Sequence, residues 1–372
     1  MKIVYISRSI IPSRTANSIN VMKMCSAFAV LGHEVTLLAP WTKKLEEKNI
    51  NNIYEYYGVE ENFILKKVFS PNIKYLKKRI YSLRCLSIVK EIKPDLVYGR
   101  DESLAFYLTQ KNDFLTLFEK HEPLKEKEKF LNYFFHKFIQ SSKTTKLVTI
   151  SNALKTIYQN SYNINPNAIL VAHSGTNKIP NNDIPKNVKL NSSRVQIGYV
   201  GSLLKGKGVE IIVELAKEMQ NVDFHIIGGN QKDLDFWKTN GSYTNLIFHG
   251  FVSPKETYKY RNMCDILLAP YQSNKEGNRL SEFMSPIKLF EYMSSKKAII
   301  CSDFKVYREV INEECAVLVD YKNITQWKDA INNLINDKDK KNKLAQNGYE
   351  IFLENYTWEK RAQNIIDFAL IK

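Results

Sequence analysis

Two doubly wound α/β domains, each built on a parallel sheet, are what this sequence predicts, and three observations carry the prediction. Short β-rich runs alternate with amphipathic helical stretches. The alternation stops at an Asn-, Pro- and Ser-rich segment and then restarts. A chain of 372 residues is long enough for two domains that each bury a core.

Taken in order, Ile3–Ile6, Val35–Leu38, Leu96–Tyr98, Phe114–Phe118, Leu147–Ile150 and Ile169–Val171 are apolar runs of strand length separated by helix-period stretches. The run from Thr176 to Ser193 has neither period and reads as a linker. Beyond it, Val195–Val200, Phe224–Ile227, Leu246–Phe248, Ile266–Ala269, Ala298–Cys301 and Val317–Val319 repeat the pattern, and three helical stretches follow Asn323. The expected division is 1–180 for the first domain, 181–194 for the linker, 195–355 for the second domain, and 356–372 for a last helix that crosses back to the first. In such sheets ligands gather beyond the carboxyl ends of the strands, where loops meet helix N-termini.

Charge is unevenly placed along this frame. Of 54 Lys+Arg and 39 Asp+Glu, residues 1–180 hold 27 and 15, so the first half carries +12 of the net +15. That field favours phosphates, an anionic lipid surface or nucleic acid. No zinc-finger, RNP or helix-turn-helix signature accompanies it, which sets nucleic acid aside. No run of 18 apolar residues offers a membrane span, and Lys2 to Ser7 reads as a strand rather than a leader. A cytoplasmic chain is expected, free or resting on the inner face of the cytoplasmic membrane. For such contact the stretch Asn72 to Ile92 is read with Ile73, Leu76, Ile80, Leu83 and Ser87 as its core stripe, and with Lys74, Lys77, Lys78, Tyr81 and Arg84 on the neighbouring arc. Phe130, Phe134 and Phe138 form a second apolar stripe. The five cysteines are scattered without C-x-x-C spacing, so reduced thiols and no metal site are expected.

Two segments carry chemistry. Val200-Gly-Ser-Leu-Leu-Lys-Gly-Lys-Gly-Val209 joins a strand to a helix, where glycines let the backbone approach a ligand and exposed amides favour an anion. Gly201 to Lys207 satisfies G-x-x-x-x-G-K, but Gly208 stands where a nucleoside triphosphatase needs Ser or Thr to hold Mg²⁺. A dinucleotide oxidoreductase is disfavoured too, since no G-x-G-x-x-G follows the first strand. Ser285-Pro-Ile-Lys-Leu-Phe-Glu-Tyr-Met293 starts a helix with Ser-Pro. Its opening turn, Ser285, Pro286, Ile287, Lys288 and Leu289, can hold a diphosphate, and Glu291 beyond it can accept two hydroxyl hydrogen bonds, as a ribose offers.

Together GSLLKGKGVEIIVELAKEM, FHIIGG, NLIFHGFVSPKETYKYRNMCDILLAPY, SPIKLFEYMSSKKAIICSD and YREVI resemble the donor domain of glycosyltransferase family 4, of the glycosyl transferases group 1 type. ANSINVMKMCSAFAVLGHEVTLLAP and Phe118-Glu-Lys-His-Glu-Pro123 extend the resemblance to the first half. It implies a GT-B architecture, two Rossmann-like domains facing a central cleft. It also implies retaining, metal-independent hexosyl transfer from a nucleotide-diphosphate sugar, with no further cofactor, to a glycan or lipid-linked acceptor in cell-surface polysaccharide or glycolipid synthesis.

By the same resemblance Lys207 contacts the donor diphosphate beside Gly201, Glu291 binds the ribose, and His121 at a strand end orients groups and stabilises charge at the donor sugar. Ser202 stands where many members carry a second phosphate-binding arginine, with Arg279 and Lys288 as candidates to replace it. Phe283 stands at the first carboxylate of E-x-x-x-x-x-x-x-E, with Glu282 adjacent. The family's glycine pair after the first strand is replaced by Pro12-Ser-Arg-Thr-Ala-Asn17. Arg14, Asn17 and Ser18 are therefore candidates for the acceptor, and so is Arg100, unless it merely pairs with Asp101 or Glu102 at the surface. A non-catalytic nucleotide-sugar binder and a nucleotide-sugar epimerase compete for the same frame.

Overall fold

Every strand pairing among the described residues of this computed structural model (1–41, 46–73, 76–141, 145–241, 243–273 and 280–371, side chains of 280 and 281 excepted) is parallel. Central parallel strands are covered on both faces, which is why they read as unbroken apolar runs. The first sheet has seven strands: β1 (Lys2–Ile6), β2 (Glu34–Trp41), β3 (Ile64–Phe69), β4 (Leu96–Arg100), β5 (Thr116–Lys120), β6 (Lys146–Thr149) and β7 (Ile169–Val171), in the order β3-β2-β1-β4-β5-β6-β7. The second has six: β8 (Val195–Val200), β9 (Val222–Ile227), β10 (Leu246–Gly250), β11 (Ile266–Ala269), β12 (Ala298–Ser302) and β13 (Val317–Val319), in the order β10-β9-β8-β11-β12-β13. Each sheet has one place where the winding reverses, between β1 and β4 in the first and between β8 and β11 in the second.

The chain divides into two units, Met1–His173 with the chain from Trp358 onward, and Ser174–Thr357. In the first, helices Ala16–Val30 and Trp358–Leu370 share one core with the sheet, through Val21, Phe28, Ala362 and Ile365 against Tyr5 and Tyr98. In the second, alternate strand residues serve two cores. Tyr199, Phe224 and Leu268 join Trp327, whereas Val200, Ile227 and Leu267 join Phe290 and Tyr292. The five cysteines are buried and free. Among the described residues no helix is long and apolar enough to cross a membrane.

Four features differ from the expectation. The first unit ends at His173, not at residue 180, and the presumed linker is stitched to the second unit. The Ser174 amide donates to Ser285 Oγ at 2.8 Å, the Thr176 amide to the Tyr356 carbonyl at 3.0 Å, and Asn262 Nδ2 to the carbonyls of Asn181 and Asp183. Strand β3 is an addition: Lys66 and Lys67 interrupt its apolar run, as an edge strand tolerates. The helix expected from Asn72 runs over Lys77–Ile92, and its buried residues are Tyr81, Ser82, Cys85 and Val89. Ile73, Leu76 and Leu83 are 54%, 42% and 56% exposed, and Ser87 is exposed as well. Tyr81 decides the orientation, because its hydroxyl donates to the backbone carbonyls of Ser7 and Leu38 and so anchors that face to the sheet. Helix Lys129–Ile139 similarly buries Leu131, Phe135 and Phe138, leaving Phe130 and Phe134 half-buried. Lys74 lies outside the described residues.

A pair of histidines links β9 to β10. Gln196 donates from Nε2 to the carbonyls of Asn191 and Arg194, so its Oε1 accepts from His225 Nε2 at 2.6 Å. His225 Nδ1 is then the acceptor for His249 Nε2 at 2.9 Å. Both rings are neutral, and burial pushes both pKa values from 6.5 to about 4, the neighbouring His225 adding to the effect on His249. Since the unfolded chain takes up these protons near pH 6.5 and the fold only near pH 4, the stability they confer is complete above pH 6.5 and is lost as pH falls toward 4. For the buried His225 the shift is worth about 3 kcal/mol. Thermal melts should therefore show Tm falling between pH 7 and pH 5, and falling less in His225→Leu/His249→Leu. An equal fall in that variant would clear the pair.

Candidate active site

In the second unit the loop after β8 is shaped by contacts a side chain would break. At Gly208, φ is +91° and an added Cβ would lie 1.8 Å from the Pro270 carbonyl oxygen. Only glycine caps helix Val209–Glu218 here, which is the physical reason no Mg²⁺-holding hydroxyl follows Lys207. At Gly201 an added Cβ would meet Lys288 Nζ at 2.8 Å. Four of the loop's eight amides are used within the unit. Gly201 donates to the Ile227 carbonyl, Leu204 to Ser202 Oγ, Gly206 to Glu210 Oε1 and Lys207 to the Leu204 carbonyl.

Attraction for an anion comes from two ammonium groups. Lys207 Nζ donates to the Tyr271 hydroxyl and lies 4.2 Å from that ring's centroid. Lys288 Nζ lies 3.6 Å from the Tyr199 ring and 5.8 Å from the Tyr271 ring. Neither lysine has an ion pair among the described residues, and burial, with repulsion from Lys207 second, holds the Lys288 ammonium well below the usual lysine range. Both lysines lie near the Tyr271 ring, and Glu291 only partly offsets the burial and the Lys207 repulsion felt by Lys288, surroundings that suit an anion. Lys288 thus stands beside Lys207, while Ser202 is exposed and its hydroxyl serves the loop. Arg279 lies outside the described residues.

Helix Ile287–Ser294 begins later than expected, with Pro286 at its N-cap and no side-chain cap. Ser285 is buried and its Oγ accepts from the Ser174 amide; Leu289 is a core residue whose amide donates to the Pro286 carbonyl. Neither is presented to a ligand, which leaves Ile287 and Lys288 at the open turn. Glu291 is held from behind by the buried Arg261, whose Nη1 is 4.0 Å from Glu291 Oε1 and whose Nε donates to Ser295 Oγ at 2.9 Å. Phe283 is buried, and Glu282 is exposed on the short helix Leu280–Phe283.

In the first unit the carboxyl ends of β1, β4 and β5 surround a cavity of about 320 Å³ lined by Arg8, Asn17, Arg100, Asp101, Lys120 and His121, among others. Its floor is an ion network. Glu119, fully buried, accepts from Arg361 Nη2 at 2.9 Å and from His121 Nε2. A carboxylate only accepts, so Nε2 carries the imidazole proton and Nδ1 is left as the acceptor. Burial first, then Arg100, lowers the His121 pKa, which keeps the ring neutral. Arg361 comes from the last helix and also donates to the carbonyls of His173 and Ala172. Asp101 sits at φ +73°, its carboxylate accepting from Arg100 Nε at 3.0 Å and from Asn17 Nδ2 at 3.2 Å. Burial opposes its ionisation, but the neighbouring cations, Arg100 first and then Lys120 and Arg8, hold its pKa below the usual value.

Of the acceptor candidates, Asn17 and Arg100 line this cavity, and Arg100 is buried rather than part of a surface pair. Arg14 instead reaches Glu47 at 2.7 Å, and Ser18 is fully buried with its hydroxyl donated to backbone carbonyls at Ser13 and Thr15. Sequence reasoning missed Arg8, Lys120 and Tyr271. Lys120 ends β5, and Arg8 and Tyr271 are each separated by one residue from the end of β1 and β11, so position at a strand's carboxyl end was the signal for them.

The chain's relatives share this frame. The model of "Glycosyl transferases group 1" matches residues 180–351 and that of "Glycosyltransferase Family 4" matches 19–178. A protein of Methanocaldococcus jannaschii described as an uncharacterized glycosyltransferase is 24% identical over 232 residues, 61% of this chain; the match spans 59% of that relative's length. A glycosyltransferase from Rickettsia africae superposes with a TM-score of 0.75 at 15% identity, covering 99% of this chain and 97% of the other. HepE of Anabaena, in complex with UDP-glucose, gives 0.70 at 13% identity, covering 99% and 98%. At these identities the structures attest the fold, GT-B.

Proposed function

The chain belongs to the glycosyltransferases of group 1 and family 4, and we propose that within them it moves a hexose from a nucleotide-diphosphate sugar held by the second unit to a glycan or lipid-linked acceptor taken by the first. The observation that carries the reading is the pair of unpaired ammonium groups, Lys207 and Lys288, at Gly201 on one side and Glu291 along the same helix as Lys288. Ammoniums suit a diphosphate; a carboxylate held from behind by Arg261 suits a ribose diol. The UDP-glucose complex of HepE supports a nucleotide-sugar donor.

In the proposed reaction the glycosidic bond to the donor breaks with its electron pair going to the diphosphate, whose growing charge Lys207 and Lys288 stabilise. The acceptor oxygen attacks on the same face, giving retention, and its proton passes to the leaving phosphate. His121, neutral and with Nδ1 as acceptor, orients a hydroxyl rather than serving as an obligatory base. No metal or further cofactor is assigned a part, so transfer should persist in EDTA.

We further read the enzyme as cytoplasmic and peripheral on an anionic membrane, within cell-surface polysaccharide or glycolipid synthesis. Exposed Ile73, Leu76 and Leu83 accompany Arg84, 4.9 Å from the Phe69 ring, and Arg79, 5.6 Å from the Phe130 ring. Apolar side chains ringed by cations suit the headgroup boundary, each cation contributing about 1 kcal/mol.

Two outcomes are expected. Glu291→Gln should raise the Kd for UDP by about 10- to 100-fold with the fold retained, Glu291→Ala should do the same at some cost in Tm because it leaves Arg261 without its carboxylate, and Lys207→Ala should lower kcat by about 100-fold, more than it weakens binding. Unaltered nucleotide affinity in Glu291→Ala would remove that carboxylate from the site. On liposomes, the protein should float with phosphatidylglycerol vesicles at low salt and lose this on Arg79→Glu/Arg84→Glu. Absence of flotation in the wild type sinks the membrane reading.

A further inference from the structure

Lys120 is the last residue of β5 and only 8% exposed, yet it lines the first-unit cavity. Its ammonium lies 4.9 Å from the Phe118 ring and 5.5 Å from the Phe135 ring, and it has no hydrogen bond or ion pair among the described residues. Aromatic faces compensate a cation only in part. The cavity's carboxylates are largely spoken for: Asp101 by Arg100 and Asn17, Glu122 by Lys125 at 2.6 Å. Among the described residues Arg8 pairs with Glu102 at 3.6 Å, an acid that burial pushes up to about 7 and that therefore neutralises it incompletely, and Asp101, which also feels Arg8, is shared with Arg100. Burial also lowers Lys120 itself, to about 8, against the pull of Asp101, Glu122 and Glu128. A buried, unpaired ammonium is costly, and a neutral sugar hydroxyl recovers little of that cost because any polar residue would serve it as well. An anion recovers it.

We propose that Lys120, with Arg8 and Arg100 beside it, binds an acidic group, phosphate or carboxylate, carried by the sugar acceptor. This rests on the reading of the first unit as the acceptor side, and it deepens that reading by naming the acceptor's chemistry. Lys120 is then a specificity residue: it separates charged from neutral acceptors and has no part in holding the nucleotide.

The test uses the full chain saturated with UDP, so that the second-unit cations are occupied, and titrates glucose, glucuronate, glucose 6-phosphate and inorganic phosphate by ligand-observed NMR. At least one anionic sugar should bind about tenfold or more tightly than glucose. Lys120→Met, whose side chain packs between the same two rings, should bring that sugar to the level of glucose; Lys120→Arg should keep most of the preference, and Lys207→Met should keep all of it. The better of glucuronate and glucose 6-phosphate assigns carboxylate or phosphate. Equal binding of neutral and anionic sugars, no binding of any, a preference that survives Lys120→Met, or inorganic phosphate binding as tightly as the sugar phosphate would each overturn the proposal. UDP binding, followed in the same samples, reports separately on the donor reading. If UDP fails to bind, that reading falls, and the Lys207→Met arm still shows where the anionic sugars go.

Discussion

Parallel pairing is the constraint on which this molecule depends. Parallel strands are joined only by crossovers, and all their carboxyl ends emerge on one edge of the sheet. Where successive crossovers leave in opposite directions the loops part, as they do between β1 and β4 and between β8 and β11. The candidate site residues lie at or beside those carboxyl ends. Arg8 follows β1, Arg100 ends β4 and Lys120 ends β5; Gly201 follows β8 and Tyr271 follows β11 by one residue. Groups distant in sequence thereby become neighbours without any local motif announcing them.

Within the first unit, Glu119 converts that architecture into a defined protonation state. A fully buried carboxylate is tolerable only because Arg361 pairs with it, and losing one partner of such a pair typically costs about 3–5 kcal/mol. Burial works against the Glu119 charge, but Arg361 and His121 together hold its pKa below the usual value. The last helix, Trp358–Leu370, therefore does more than fill a hydrophobic face: through Arg361 it fixes Glu119, and through Glu119 the tautomer of His121. Sequence distance hides the connection, since Arg361 is 242 residues from Glu119.

The strands at the centre of both sheets were legible because burial on two faces leaves an apolar run, as in Ile266–Ala269 and Val195–Val200. Edge strand β3 was not, since Lys66 and Lys67 satisfy an exposed edge at the expense of the pattern. Periodicity placed a helix before β4 but put the wrong face inward, because the Tyr81 hydroxyl outweighed the apolar stripe by finding two backbone carbonyls. Among candidate site residues, motif position picked out Gly201, Lys207 and Glu291, which the fold places on the loop after β8 and on helix Ile287–Ser294. Ser18 and Ser285 are buried with their hydroxyls engaged by the backbone, a use the sequence does not distinguish from ligand contact. The sequence left Arg279 and Lys288 as alternatives for the arginine missing at Ser202, and only the fold shows Lys288 and Lys207 against the same tyrosine, Tyr271.

The central claim is that a nucleoside diphosphate lies against the loop after β8 and the open turn of helix Ile287–Ser294. Amide hydrogen exchange of the full chain with and without millimolar UDP, GDP or ADP tests it directly. For the nucleotide that binds, exchange should slow in peptides covering 201–208 and 286–291, with the edge strand Ile64–Phe69 unaffected. No protection in either segment with any of the three nucleotides, or protection confined to other parts of the chain, would contradict the account.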